Sequence, residues 1–275
     1  MNSAYERSRK AHLFKWPERV YVWLFGIPEI GLRLRALHFR HMLRRIPRRP
    51  SRVLDAGCGI GLYTLLLARR YPEATIVGCD LEPASIAVCS QLKDNLHLGN
   101  VRFVTADITG PPDFGDPFDL IVCVDVLEHV GAFDSALRGF RRLISDDGYL
   151  YIHVPQNNQR RIFRRFANWT HVGHVREGFA PTELANSLAQ AGFTPVAIRP
   201  TMGAFGKFAW ELNHLTLARS VLVAGLIFPV LLGIALFDLV TRNRAGLGVA
   251  VLARRTSAET AVLGSTTRVD VSDVL

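Results

Sequence analysis

The run Val53-Leu54-Asp55-Ala56-Gly57-Cys58-Gly59-Ile60-Gly61 carries the clearest chemical signal in the sequence. Glycines at alternate positions after an apolar stretch let a strand turn sharply into a helix and let a ligand approach the backbone. The N–H groups that open the following helix then face that ligand. A dinucleotide fingerprint starting at Gly57 would need glycine at position 62, where Leu62 stands. A carboxylate two residues before the first glycine, Asp55, repels a pyrophosphate and attracts an ammonium or sulfonium. Asp80 lies 21 residues beyond Gly59, a spacing suited to holding two ribose hydroxyls. Asp107 is placed to accept from the exocyclic amine of a purine.

A second group follows in Asp125-Val126-Leu127-Glu128-His129. On a helical turn Asp125, Glu128 and His129 share one face, so two carboxylates and an imidazole converge. Farther on, His171, His174 and Arg176 precede a helix and are placed to cover an acceptor pocket. Three readings stand side by side: a divalent-metal site, a metal-free base at His129, or a structural turn. His153 reads as a satisfied histidine of the core or rim.

The elements that must position these residues alternate between strand and helix. Apolar runs at Arg52–Ala56, Thr75–Cys79, Val101–Thr105, Phe118–Val124 and Gly148–Val154 read as strands. Helical spacing covers Gly61–Arg70, Pro83–Leu96, Phe133–Ile144 and Pro181–Ala191, and Thr194–Arg199 and Leu247–Ala253 complete the strands. This order predicts βαβ units and a mostly parallel sheet. Asp80, Asp107 and Asp125 each fall just past a strand's carboxyl end, where doubly wound sheets bind ligands.

Taken together, Asp55-x-Gly57-x-Gly59-x-Gly61, Asp80, Asp107 and Phe118–Cys123 resemble the class I S-adenosylmethionine-dependent methyltransferases. The resemblance covers about residues 50–200. It implies a Rossmann-like, doubly wound, seven-stranded α/β sheet with an antiparallel last strand. It further implies S-adenosylmethionine bound by Asp55, Gly57, Cys58, Gly59 and Gly61, by Asp80 and Leu81, by Asp107 and Ile108, and by Asp125. The segment from Asp125 to His129 is also similar to the metal sites of small-RNA 2′-O-methyltransferases and ubiquinone-pathway O-methyltransferases. That likeness implies a divalent ion such as magnesium on Asp125, Glu128, His129 and His174, with Asp125 one carbon shorter than the family's glutamate. Without metal, Glu128, His129 and His174 remain the catalytic candidates.

The composition bounds what surrounds this core. The chain has 275 residues, 49% of them hydrophobic, which excludes a disordered protein. Its net charge is +9, and residues 1–52 hold 13 Lys/Arg against 3 Asp/Glu. The basicity therefore belongs to an N-terminal arm, residues 1–49, where Phe14, Trp16, Tyr21, Trp23 and Phe25 interleave with Lys15 and Arg19. The core takes residues 50–202 and 247–255, an apolar helical insertion takes 203–246, and 256–275 reads as a frayed tail. Within the insertion, Val221–Phe237 is an apolar run of 17 residues, a helix of about 25 Å and short for a bilayer. Because it lies between strands six and seven of one sheet, a single crossing is excluded. Cys58, Cys79, Cys89 and Cys123 lack metal or redox spacing and read as buried thiols. No apolar signal segment is read, and the expected place is the cytoplasm, peripheral on the inner face of a membrane. The expected reaction is O-methylation of a lipophilic small molecule at that surface. The alternatives are an RNA methyltransferase gripping with the basic arm, although no separate RNA-binding module is recognisable, and a catalytically silent membrane partner.

Overall fold

The computed structural model describes residues 16–166 and 173–256. Phe14, Lys15, His171 and all of the tail except Thr256 lie outside the described residues.

Seven strands form one sheet: β1 (Arg52–Ala56), β2 (Thr75–Asp80), β3 (Val101–Thr105), β4 (Phe118–Val124), β5 (Ile144–Pro155), β6 (Phe193–Thr201) and β7 (Gly248–Arg255). Their order is β3-β2-β1-β4-β5-β7-β6. The pairs β1–β2, β2–β3, β1–β4 and β4–β5 are parallel, and β7 runs antiparallel to β5. The near-continuous apolar strands follow from burial on both faces of a parallel sheet. β5 starts at Ile144, earlier than the sequence indicates, because Ser145-Asp146-Asp147 is polar, with both aspartates exposed, and reads as a turn. The chain leaves β1 toward β2 on one side and returns to β4 on the other. The carboxyl ends of β1 and β4 therefore flank the switch point, where this sheet type opens a crevice.

Of the described residues, 41–158, 173–199 and 248–256 form one compact body. The helices of this sheet body are α3 (Leu62–Arg70), α4 (Pro83–Asn95), α5 (Phe133–Leu143) and α6 (Pro181–Gln190). On α5, Ala136, Leu137 and Phe140 recur at helical spacing and are buried. They pack with Leu184 and Leu188 of α6 and with strand residues Ile121, Ile152 and Val251 in one core. Each large side chain so buried contributes roughly 2 kcal/mol.

Residues 16–40, 159–166 and 200–247 form a second body, built of helices. It contains α1 (Trp16–Phe25), most of α2 (Ile30–Leu43), α7 (Ala204–Leu217) and α8 (Val221–Val240). Ile30, Leu34, Ala209, Leu231 and Ala235 are its core. Helix α7 is not a separate element in the sequence reading, where residues 203–246 form a single apolar insertion.

Helix α8 extends past the apolar run because Asp238 is satisfied inside it. The carboxylate accepts from Gly206 N–H at 3.2 Å and meets His38 Nε2 at 3.3 Å. Burial works to raise the Asp238 carboxyl, but bonds from His38 and from the Gly203 and Gly206 amides outweigh it and hold it below the usual range. With 20 residues the helix is about 30 Å long and, by length and composition alone, could cross a bilayer. However, β6 and β7, which bracket this segment, are neighbours in one sheet, so a single passage would separate them.

The outer side of α8 has an unusual composition. Its exposed residues are Leu222, Val223, Leu226, Pro229, Val230, Gly233, Leu236, Phe237 and Val240, and none is polar. An amphipathic surface helix places charged and polar residues there.

Replacing Asp238 with Ala removes the acceptor for both His38 and the Gly206 amide in a fully buried position. The expected cost is about 3 kcal/mol, read as a lower melting temperature by circular dichroism. An unchanged melt would show that the pair is not structural.

Candidate active site

The turn after β1 has three residues at positive φ: Gly57 (77°), Gly59 (53°) and Gly61 (79°). At Gly57 there is no room for a side chain, since a Cβ would overlap Val126 Cγ2. That contact joins the end of β1 to the segment leaving β4. At Gly59 the situation is reversed: a Cβ would meet nothing within 4 Å, so open space lies beside the backbone. The turn is held from below, where the Gly57 and Cys58 N–H groups both donate to Cys79 O at 2.8 Å. It is also held from β2, where Gly59 N–H donates to Asp80 Oδ2 at 2.8 Å and Glu82 N–H to Oδ1 at 3.0 Å. Asp80 is thus fixed against the open position, and the adjoining Leu81 is 69% exposed.

Asp55 is turned beneath this surface. It is buried and accepts from Thr64 Oγ1 at 2.6 Å. Burial pushes its carboxyl up to about 6, against the Thr64 bonds that lower it. Cys58 is buried, and Cys89 Sγ lies 3.2 Å from Gly59 O. Beyond β3, Asp107 Oδ1 accepts from Thr109 N–H and Oγ1, both at 2.8 Å, and these bonds hold its carboxyl below the usual range. Ile108 belongs to the sheet body's core.

The other half of the site follows β4. Asp125 has φ 54°, an uncommon conformation for a side-chain-bearing residue. His153 of β5 holds it there: Asp125 N–H donates to His153 O at 2.8 Å, and Oδ1 meets His153 Nδ1 at 2.5 Å. Asp125 is therefore placed beside the group expected to include it. The residues brought together are Glu128, His129 and His174, each with one ligand-type atom within 4.8 Å of the others.

Leu127–His129 is a single 3-10 turn with Glu128 buried. His129 Nδ1 lies 2.9 Å from Gly173 O. A carbonyl only accepts, so Nδ1 carries the proton and the lone pair of neutral His129 sits on Nε2. The His129 and His174 rings meet edge to face with centroids 4.6 Å apart, and His174 Nε2 is 4.0 Å from Glu128 Oε1. Burial, then the neighbouring His129, lowers the His174 pKa from its ordinary value, so this ring is neutral at pH 7. The covering segment is fixed by Val175 N–H donating to Glu128 O at 3.0 Å. Arg176 secures it further, pairing with Glu183 at 2.6 Å and stacking over Phe179.

The family profile described as Methyltransferase domain matches residues 31–198. The chain belongs to the methyltransferase family. Over 193 residues it is 31% identical to a trans-aconitate 2-methyltransferase of Streptomyces avermitilis, covering 68% of this chain and 70% of that one. It is 28% identical over 156 residues to a ubiquinone biosynthesis O-methyltransferase of Pseudomonas fluorescens, covering 52% of this chain and 65% of that one. Two further trans-aconitate relatives are matched over only 48% of their length. Among solved structures, a putative sarcosine dimethylglycine methyltransferase of Galdieria sulphuraria superposes with a TM-score of 0.58 at 16% identity, covering 87% and 97% of the two chains. The chain is an S-adenosylmethionine-dependent methyltransferase with the Rossmann-like fold.

Sequence reasoning missed Thr64 under Asp55, His153 beside Asp125, and the Gly173 carbonyl that sets the His129 tautomer. The first has a local signal, a hydroxyl nine residues on in the first turn of the next helix. The other two pair residues 28 and 44 positions apart and leave no local trace.

Asp55→Asn separates folding from binding. An acid at about 6 when folded and 3.8 when free makes the folded state lose stability as pH rises from about 4 to about 6. The amide abolishes that loss, so at pH 8 the variant should be more stable than the parent by about 3 kcal/mol, read as a higher melting temperature. Equal melts at pH 8 would refute the buried, costly carboxylate.

Proposed function

We propose that this methyltransferase methylates an oxygen of a lipophilic, membrane-associated small molecule. The observation that carries the reading is the Glu128, His129 and His174 group, with the His129 lone pair directed to Nε2 and His174 neutral. An oxygen nucleophile gains from losing its proton as it attacks, and an imidazole is the side chain best tuned to take it. The relatives named as a ubiquinone biosynthesis O-methyltransferase and trans-aconitate 2-methyltransferases support a small-molecule acceptor. The apolar outer side of α8 supports a lipophilic one and a place at a membrane's cytoplasmic face.

Bound S-adenosylmethionine supplies an electrophilic methyl group on a sulfonium. The residues around the glycine turn fit such a ligand: Gly59 leaves open space, Asp80 is fixed against it, and Leu81 offers an exposed apolar surface. In this reading Asp80 accepts from the ribose hydroxyls, and Gly57, Cys58 and Gly61 shape the backbone beneath. Asp55 favours positive charge from below, Asp125 flanks the site from β4, and Asp107 and Ile108 border the base. His129 Nε2 receives the acceptor's proton, and buried Glu128 stabilises the resulting positive charge. Because transfer needs no covalent enzyme intermediate, positioning supplies most of the remaining acceleration.

A second reading has a specific observation behind it. Glu128, His129 and His174 are close enough to share a divalent ion, which would lower the pKa of an acceptor hydroxyl. Two imidazoles and one carboxylate suit zinc or manganese better than magnesium.

Three measurements test these assignments. Asp80→Ala should weaken cofactor binding in calorimetry, and unchanged affinity would remove Asp80 from the ribose site. His129→Ala should lower kcat by about a hundredfold or more with cofactor affinity unchanged; a parental rate would end its role as base. Full turnover in excess chelator would end the metal reading, whereas loss restored by added zinc or manganese would replace the free base with a bound ion.

A further inference from the structure

We propose that the helical body is a docking module for an anionic lipid bilayer, with α8 lying in the interface plane. This inference rests on the reading of a lipophilic, membrane-associated acceptor and names the partner of that surface.

The first observation is where this body keeps its acids. Residues 16–40, 159–166 and 200–247 hold twelve Arg and Lys and four acids. All four acids serve the interior. Glu18 accepts from Ser220 Oγ and Val221 N–H at the start of α8. Glu29 caps α2 through Gly31 and Leu32 N–H. Buried Glu211 holds the Ile162 and Phe163 amides, and Asp238 holds His38 and Gly206. Arg19, Arg33, Arg164, Arg165, Arg219 and Arg242 are exposed. The positive charge therefore faces outward and the negative charge inward.

The second observation is where those cations stand relative to the apolar side of α8. Arg219 stands just before the Ser220 cap of the helix, and Arg242 and Arg244 follow it, so the stripe from Leu222 to Val240 is bracketed at both ends. Arg33 lies over the ring of Phe228, a residue of α8 itself. Tyr21 of α1 packs against Gly225 of α8, and α1 exposes Trp16 and Trp23 at 77% and 83% with Arg19 between them. An apolar stripe with tryptophans and an arginine border matches the boundary between acyl chains and phosphate headgroups. The stripe supplies insertion and the border supplies attraction to negative lipid.

Two other occupants fit less well. A second copy of the chain would bring this cationic border against its own like. A nucleic acid would gain from the arginines and tryptophans but would bury the stripe against no hydrogen-bonding group.

The test is flotation of the full chain with vesicles of phosphatidylcholine alone and of phosphatidylcholine mixed equally with phosphatidylglycerol. The module predicts flotation only with the mixed vesicles, and weaker flotation at high salt. Leu226→Glu with Val230→Glu should abolish flotation while leaving calorimetric S-adenosylmethionine binding at the parental level, which shows that the fold is kept. Arg242→Gln and Arg244→Gln should each weaken partitioning about fivefold. Equal flotation with neutral vesicles, or parental flotation of the Leu226/Val230 variant, overturns the proposal. So does capture by a single-stranded RNA oligomer without flotation, or a dimer in sedimentation that the same variant dissociates. A chain that methylates a detergent-dispersed lipophilic phenol yet never floats overturns the docking module alone and leaves the chemical reading intact.

Discussion

The backbone at Gly57 has no room for a side chain, and much of the active site follows from that restriction. The glycine lets the end of β1 pass against Val126 just after β4. Parallel strands on either side of a switch point diverge into connections on opposite faces, which is what opens a crevice there. Here both strand ends turn through left-handed backbone, at Gly57 after β1 and at Asp125 after β4. Glycine does this at little cost, whereas Asp125 is held by two bonds to His153. The β1 side of the crevice is therefore set by what a residue lacks, and the β4 side by what a residue is tied to.

The fold was legible in the sequence wherever one short segment determined the outcome. Strands of a parallel sheet are continuous apolar runs, and glycine or an acid marks each end, so β1 to β4 appear within a residue of where the pattern puts them. The glycine turn and Asp80 were readable for the same reason: the alternation of glycines and the interval to the next strand end are linear features. Legibility failed where the deciding partner was distant. A helical turn predicts that Asp125, Glu128 and His129 share a face. His153 holds Asp125 in a left-handed conformation before that turn begins, while the Gly173 carbonyl and His174 complete the group. Asp238 looked like the end of an apolar helix because nothing nearby announces His38, 200 positions away.

Burial divides the carboxylates by task. In the sheet body, Asp55 keeps an energetically costly position under the turn, with one hydroxyl to ease it. In the helical body, Glu211, Glu29 and Asp238 each accept from backbone amides. Asp55 thus lies under the glycine turn, whereas those three serve the helical body's own backbone.

The ladder between β5 and β7 pairs Tyr149 with Arg254 and fills the place between β5 and β6. Synthesis runs in the opposite sense to this geometry. Helix α8 leaves the ribosome ahead of β7, so the nascent chain carries its most apolar helix while β5 and β6 still lack the strand that joins them. Until β7 has followed, that helix competes for any nearby apolar surface and the open strand edges invite mispairing. A chaperone or a lipid surface that occupied α8 during this interval would act on the order of assembly, a quantity that the finished sheet no longer records.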